Sequence, residues 1–301
     1  MRASEQQAVA PPARSHRSRL GKVLAPYGLI LPGGLWLAVF FLVPILFMAS
    51  VSLQTGDIYQ GFRLTWHFSN FSQAVSLYHT QFLRSARFAA VATAATLVVS
   101  YPLAYWIAFH GGRRKTTYLF LLLLPFFVSF VIRTLAWEWI LSTNGILFGT
   151  LKRWHLLPQS FHVLSTPTAV ISGIAYNFLP FMALPLYVSL EKIDRRVVEA
   201  ARDLYASKAQ VFLRVIVPLS IPGIFAGILL TYVPAVGDYV NVTILGGPST
   251  TMIGNIIQLK YLQDFQYPIA AALSFILMAG VLVAILAYAK VLGSRAIQEY
   301  V

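Results

Sequence analysis

The chain has 301 residues, of which 57% are hydrophobic and 11% are charged. A soluble domain is about a quarter charged, so this composition excludes an ordinary soluble protein and predicts a polytopic, all-α membrane protein. The formal net charge of +13 indicates basic loops facing the cytoplasm rather than a nucleic-acid site, and the absence of cysteine excludes disulfides and thiol catalysis.

The N-terminal region combines a basic tail with the first long apolar run. Residues 1–25 are polar and carry five lysine or arginine residues, which is typical of a disordered cytoplasmic tail. The apolar run that follows, residues 26–53, is too long for the ~7–15-residue core of a signal peptide. We therefore expect it to stay attached as the first membrane span.

Five further apolar runs each reach the ~20 residues that cross a bilayer core. They cover residues 82–109, 117–142, 167–190, 219–240 and 267–292. Together with the first run they predict one six-helix transmembrane domain over residues 26–292, followed by a short tail at 293–301. An even number of spans places both termini on the same side of the membrane.

The loops predict which side this is. Sixteen lysine and arginine residues lie on the side of the two termini, and at most six lie on the other side. Because basic loops are retained in the cytoplasm, both termini are predicted to be cytoplasmic. In a bacterium this corresponds to a multi-pass protein of the inner (plasma) membrane.

A long polar segment, residues 191–218, separates the fourth and fifth runs on the predicted cytoplasmic side. At helical spacing its first half places five apolar residues on one stripe: Val197, Val198, Ala201, Leu204 and Tyr205. Ser207 and Gln210 have the spacing of a capping box, which predicts a second helix, and Pro218 and Pro222 predict where that helix bends. An apolar face exposed to water requires a partner.

The sequence lacks the motifs of enzymes that act alone. No H-E-x-x-H, G-x-S-x-G or Walker A motif occurs, and the basic loop 111–116 fails the phosphate-loop spacing. The six histidines are scattered over the tail and loop ends without metal-ligand spacing. We expect no catalytic residue and no metal site, and any ATP must be hydrolysed by another subunit.

The polar segment also carries a family pattern. Glu199, Ala200 and Ala201 form the E-A-A element, and an aliphatic-x-aliphatic-Pro element follows at residues 215–218. In this respect the chain resembles the permease subunits of bacterial ABC importers. Their pattern has Gly where this chain has Tyr205, so we expect either a rearranged turn or an aromatic ring added to the docking face.

The resemblance extends to most of the chain. Residues 38–44 (AVFFLVP) resemble the start of such permeases. Residues 133–137 (RTLAW) with 144–145 (NG), and 245–248 (LGGP) with 252–254 (MIG), are similar to the spermidine/putrescine-type subgroup. The family implies a type I importer, in which two six-span permeases sit on two ATPase subunits and an extracytoplasmic solute-binding protein delivers the solute. The second permease would be a homologue, the solute a small organic molecule such as a polyamine, and ATP and Mg²⁺ would be bound by the ATPases alone.

The resemblance implies that the segment 191–218, hereafter the coupling segment, inserts its helix into a groove on an ATPase. The residues expected to make this contact are Glu199, Ala200, Ala201, Asp203, Leu204, Tyr205 and Ser207. The alternative is an amphipathic helix lying in the lipid headgroups. Glu199 and Asp203 favour docking, because a headgroup helix is usually rich in Lys and Arg without acids.

Four residues in or beside the spans are candidates for the substrate path: Arg133, Glu138, Asp238 and Tyr239. Arg133 lies about two-thirds along the third run, where it could line the path, reach towards the interface or stack on Trp137. Acids near span ends often mark substrate routes, so Glu138 and Asp238 could guide a cationic polyamine. They could equally cap broken helices, and the sequence leaves both possibilities open.

Two other functional classes remain as alternatives. A secondary transporter or channel driven by an ion gradient would also have six apolar spans, but it would not need a cytoplasmic amphipathic hairpin. An intramembrane enzyme would need paired acids, a Ser/His set or metal ligands within the spans, and the sequence offers none of these.

Overall fold

A computed structural model describes residues 30–290. The predicted tails, 1–25 and 293–301, and the outermost residues of the first and last predicted spans, 26–29 and 291–292, lie outside the described residues. The chain divides into two compact units, residues 1–50 and 51–301.

The described part of the first unit is helical. Helix α1 (Ile30–Ser52) has 23 residues and contains a wider, π-helical turn at Ala38–Leu42. At ~1.5 Å per residue it is about 34 Å long, which is enough to cross the ~30 Å core of a bilayer. The predicted first apolar helix is therefore confirmed over the described residues.

The second unit begins with an antiparallel hairpin of strands β1 (Gln54–Asp57) and β2 (Gly61–Leu64), in which Gln54 pairs with Leu64. The long helix α2 (Ser69–His110) follows. The other helices, in chain order, are α3 (Lys115–Leu123), α4 (Phe130–Leu141), α5 (Ile146–Arg153), α6 (Pro167–Glu191), α7 (Arg195–Asp203), α8 (Lys208–Leu219), α9 (Ile221–Val236), α10 (Val240–Leu245), α11 (Ile253–Leu262) and α12 (Tyr267–Tyr288).

Within residues 30–290, four helices (α1, α2, α6 and α12) are long and apolar enough to cross a membrane, and six spans result if two bent pairs each count as one. Gly112–Phe127 meets Phe130–Arg153 at 92°, and Lys208–Leu219 meets Ile221–Val236 at 63°. The second bend lies between Pro218 and Pro222, as predicted. The first was predicted as a continuous run at 117–142, but the backbone is extended at Val128, just after Pro125.

Helices α2, α6 and α9 pack together through small residues. Ala89, Ala92 and Ala104 of α2 are fully buried, and Gly223 and Gly227 of α9 lie against α6. Small side chains let helix backbones approach closely, which is how helices associate where no water is present to drive hydrophobic contact. Helices α2, α6 and α9 therefore form a three-helix core in the second unit.

Several elements were not predicted. Helix α2 begins at Ser69, well before the predicted start of the span at residue 82. The short helices α10 and α11 lie between the predicted fifth and sixth spans, and α11 is fastened to α2 where Ser85 Oγ accepts a hydrogen bond from the Ile253 amide at 2.8 Å. At the end of α11, the hydrogen bond from Lys260 to Asp264 raises the pKa of Lys260.

The close contact between α9 and α6 generates a stability prediction. A Cβ atom at Gly223 would lie 2.7 Å from the Pro185 carbonyl oxygen and 2.4 Å from Ser189 Cβ, whereas a Cβ at Gly280 of α12 would meet nothing within 4 Å. We expect Gly223→Ala to lower the free energy of unfolding by ~1–3 kcal/mol through overpacking. Gly280→Ala should leave it equal or raise it by up to ~1 kcal/mol through helix propensity. Thermal unfolding in detergent compares the two, and equal midpoints would contradict this packing.

Candidate coupling surface and buried polar cluster

The coupling segment folds as a short helix, a turn and a second helix, as predicted. Helix α7 begins where Asp194 Oδ1 accepts a hydrogen bond from the Arg196 amide at 2.9 Å. Helix α8 begins with the predicted capping box: Ser207 Oγ accepts from the Gln210 amide at 3.3 Å, and Gln210 Oε1 accepts from the Ser207 amide at 2.8 Å. Reciprocal caps satisfy amide groups that would otherwise lack partners at a helix start.

The turn between these helices keeps a left-handed residue although Gly is missing. Tyr205 has φ = +59°. Its amide donates to the Arg202 carbonyl at 2.9 Å, and the Ala206 amide donates to the Ala201 carbonyl at 3.2 Å, which is the hydrogen-bond pattern of a Schellman helix end. A non-Gly residue costs ~1–2 kcal/mol in this conformation. The turn therefore has the left-handed conformation that Gly favours, with the Tyr205 ring attached to it.

The apolar stripe of α7 does not form one exposed face. Val198 is buried in an apolar cluster with Ala104, Ala108, Leu190, Val211 and Ile216, and Ala201 packs against the same cluster. Leu204 and Tyr205, by contrast, are 82% and 97% exposed. The helix ends at Asp203, so the two residues after it leave the face that Val198 and Ala201 share. The interpretation of the five stripe residues as one surface is wrong in this respect.

The residues predicted to contact an ATPase are otherwise open to solvent. Glu199, Ala200, Asp203 and Ser207 are exposed, together with Leu204 and Tyr205, and only Ala201 is half-buried. Val197 lines a groove of about 800 Å³ between α6, α7 and α9. At the end of α7, Leu204 and Tyr205 thus form an exposed tip with large apolar surfaces, next to the exposed charged residues Arg202 and Asp203.

Polar and aromatic contacts attach the coupling segment to the helix ends. Arg195 Nη2 donates to the Phe109 carbonyl near the end of α2 at 3.5 Å. The Tyr101 and Ser220 hydroxyls lie 2.8 Å apart, and the Tyr101 ring meets the edge of Phe212 at 5.6 Å. These contacts connect α2 to α7, to α8 and to Ser220 just before α9.

The environment of Arg133 differs from the predicted one. Its guanidinium lies over the Phe126 and Phe130 rings, at 4.6 and 5.7 Å from their centroids. Trp137 instead stacks on Tyr176, with centroids 5.1 Å apart. Stacking of Arg133 on Trp137 is therefore wrong, because the break before α4 brings Phe126 into reach. Arg133 is buried, and its Nε has no hydrogen-bond partner among residues 30–290.

Asp238 sits at the start of α10 in a capping arrangement. Its Oδ1 accepts from the Asn241 amide at 3.0 Å, and its Oδ2 accepts from Asn241 Nδ2. Tyr239 is 44% exposed, and Glu138 is half-buried without a hydrogen bond or ion pair in the described part of the chain. Among residues 30–290, no hydrogen bond or ion pair joins Arg133, Glu138 and Asp238 directly.

A buried polar cluster next to Asp238 was not predicted. Asn177 Nδ2 donates to Thr134 Oγ1 at 2.9 Å and to Asn241 Oδ1 at 3.0 Å, and all three side chains are fully buried. They belong to α6, α4 and α10, which are distant in sequence. The available signal was an Asn inside the apolar run 167–190, since polar groups within spans usually bond across helices.

Comparison with known proteins gives a consistent result. The family model described as "Binding-protein-dependent transport system inner membrane component" matches residues 10–293. The chain is 38% identical over 243 residues to the spermidine/putrescine transport system permease protein PotB of Escherichia coli K12, covering 80% of this chain and 88% of that protein. It is 36% identical over 240 residues to PotB of Haemophilus influenzae, covering 79% and 84%.

Solved structures show the same fold. A bacterial ABC transporter involved in the import of the acidic polysaccharide alginate aligns with a TM-score of 0.69 over 91% of this chain and 98% of that chain, at 20% identity. The complex of an alginate ABC transporter with its pentasaccharide-bound periplasmic protein aligns with a TM-score of 0.66 at 21% identity. At this identity the likeness establishes the fold alone.

The buried polar cluster generates the second stability prediction. Asn177→Ala removes the buried amide donor that Thr134 Oγ1 and Asn241 Oδ1 share, and it leaves Asn241 Oδ1 only the longer 3.4 Å bond from Thr134 Oγ1. We therefore expect a loss of ~1–3 kcal/mol in the free energy of unfolding. Asn255→Ala is the matched control, because that amide also makes hydrogen bonds, to the Tyr239 carbonyl and Thr243 Oγ1, but is only partly buried. Water can replace its bonds, and its loss should be smaller. Equal thermal unfolding midpoints for the two variants would contradict a structural role for the cluster.

Proposed function

The chain belongs to the family of binding-protein-dependent transport system inner membrane components, and on this premise we propose that it carries a polyamine of the spermidine or putrescine type. It is a non-catalytic permease subunit of an ATP-driven ABC importer. The observation that carries the polyamine proposal is the 36–38% identity to PotB proteins over about four-fifths of the chain. A transporter or channel driven by an ion gradient does not agree with this family.

We propose that an ATPase subunit binds the coupling segment at Leu204 and Tyr205. Both side chains project into solvent beyond a helix that is itself fixed by the buried Val198. Four exposed residues lie close to this tip in sequence: Glu199, Ala200, Asp203 and Ser207. Ala201 is half-buried and packs against the apolar cluster that contains Val198. A large apolar ring held on a rigid turn loses little conformational entropy on binding, which favours it as an interface anchor.

The proposed assembly contains two ATPases, a second and homologous permease, and an extracytoplasmic solute-binding protein. ATP and Mg²⁺ would be bound by the ATPases, and we propose that this chain binds no cofactor. Both termini are proposed to face the cytoplasm, in agreement with the excess of Lys and Arg in the loops on that side. The coupling segment is then on the ATP-containing side.

We propose that the substrate path passes the four candidate residues, Arg133, Glu138, Asp238 and Tyr239. Asp238 caps helix α10, which is one of the two roles expected for it, because its carboxylate accepts two hydrogen bonds from Asn241. A carboxylate in this position can also attract a polyamine cation as it passes, and the two roles are compatible. Arg133, Glu138 and Tyr239 have no comparable geometry that favours a contact with the solute.

Uptake of radiolabelled spermidine into proteoliposomes that contain the complete complex, with ATP on the ATPase side, tests the proposed function. The wild-type complex should accumulate spermidine only with ATP and binding protein. Glu199→Lys should insert normally and lower this uptake at least tenfold, because it reverses the charge beside the docking tip. Glu199→Gln, which keeps the size of the side chain, should lower uptake less. Wild-type uptake by Glu199→Lys at equal expression would refute the coupling role.

Variants of Tyr205 distinguish an effect on the stability of the permease from an effect on its coupling to the ATPase. Tyr205→Gly relieves the positive φ, worth ~1 kcal/mol, although the added freedom of Gly in the unfolded chain offsets part of this gain. We expect its thermal unfolding midpoint to be no lower than that of the wild type, while ATP-dependent uptake falls several-fold because the ring is lost. Tyr205→Phe should retain uptake. Full uptake by Tyr205→Gly would show that the ring makes no essential contact.

A further inference from the structure

The β1–β2 hairpin lies at the end of α2 opposite the coupling segment. Helix α2 has 42 residues, so it is about 63 Å long at ~1.5 Å per residue. A bilayer with its headgroups is ~40–45 Å thick, and a tilt of ~20° shortens the helix only slightly along the membrane normal. Since Phe109 at the other end contacts the coupling segment, the first turns of α2 and the hairpin extend beyond the headgroups.

The sequence of this extension agrees with an aqueous environment. Seven of the first 13 residues of α2, residues 69–81, are exposed, and five of these seven are polar: Ser72, Gln73, Ser76, His79 and Thr80. Polar residues at this density are unfavourable in a hydrocarbon core. The hairpin therefore stands in water on the proposed extracytoplasmic side.

The base of the hairpin is firmly attached. Asn70 Nδ2 donates to the Ser52 carbonyl at 2.9 Å and to the Gln54 carbonyl at 3.0 Å, and Asn70 is buried. The Phe62 ring of β2 lies 5.2 Å from the ring of Tyr267 at the start of α12. A two-stranded hairpin is marginal alone, so these contacts hold it in one orientation.

The tip of the hairpin is preorganised and apolar. Asp57 Oδ1 accepts hydrogen bonds from the Tyr59 amide at 2.8 Å and the Gln60 amide at 2.7 Å, which fixes the turn. Gly56, with φ = +131°, could not carry a side chain, because a Cβ would lie 2.1 Å from the Gly61 carbonyl oxygen. The result is that Tyr59 is 94% exposed and Ile58 is 52% exposed.

We propose that this tip, Ile58 and Tyr59, is a docking point for the extracytoplasmic solute-binding protein of the complex. The inference rests on the proposed function, which includes such a protein and places it on this side. The length of α2 places the tip above the headgroups, which favours a protein partner over lipid. A Tyr held on a fixed turn loses little entropy on binding, and this residue type is enriched at the energetic centres of interfaces.

A cleft beside the hairpin tip provides polar groups around Tyr59. It has a volume of about 510 Å³ and lies between the hairpin, the start of α2 and the start of α12. Gln54, His67, Gln73, Asp264 and Gln266 contribute polar groups to its lining. An apolar anchor bordered by polar groups is the arrangement of a typical protein–protein interface.

The test uses the complete complex in proteoliposomes and the binding protein that supports solute uptake by the wild type. The quantity measured is the concentration of solute-loaded binding protein that gives half-maximal stimulation of ATP hydrolysis. Tyr59→Ser should raise it at least tenfold and leave ATP hydrolysis without binding protein unchanged. Tyr59→Phe is the matched control and should change it less than threefold. An unchanged concentration for Tyr59→Ser would overturn the proposal.

A photoreactive phenylalanine analogue at position 59 provides a second readout that does not depend on activity. A cross-link to the same binding protein supports the proposal, and cross-links only to the second permease or to lipid overturn it. The polyamine proposal is tested separately. If the wild type takes up another solute and not spermidine, the polyamine proposal is wrong. The hairpin is then tested with the binding protein for that other solute.

Discussion

The apolar contact between the coupling segment and the helix ends is the constraint on which the other features depend. Val198, Val211 and Ile216 are buried against Ala104 and Ala108 of the long helix α2. Interiors packed in this way transmit displacement rather than absorb it. The contact includes α8, which continues across a 63° bend into α9, so the buried cluster connects the coupling segment to the fifth span.

The second constraint is the satisfaction of polar groups where water is absent. The broken third span and the short helix α10 leave irregular backbone near the spans, and such breaks are tolerated only where protein groups complete the hydrogen bonds. Asp238 does this for the backbone amide of Asn241, and Asn177 links α6 to Thr134 of α4 and Asn241 of α10 through side-chain hydrogen bonds. The cluster therefore holds the broken segments in one arrangement, and it places the Asp238 carboxylate at a fixed position.

The features that were predicted from the sequence are local ones. Span positions follow from the composition of each run, and the Ser207–Gln210 capping box involves residues three apart. The positive φ of Tyr205 was not predicted, because the family pattern left open a rearranged turn or an aromatic ring added to the docking face. The Asn177 cluster could not be predicted, because its members are separated by 43 and 64 residues. The split of the α7 stripe depends on which face meets α2, and that is a tertiary contact.

The central claim is that an ATPase subunit covers the exposed tip of the coupling segment, and cysteine labelling tests it most directly. The natural chain contains no cysteine, so Leu204→Cys introduces a single thiol at a position that is 82% exposed. The account predicts rapid labelling by a maleimide in the isolated permease and strong protection in the complex that transports solute, measured by the mass of the permease chain. Equal labelling rates in the isolated permease and in the transport-competent complex would contradict it.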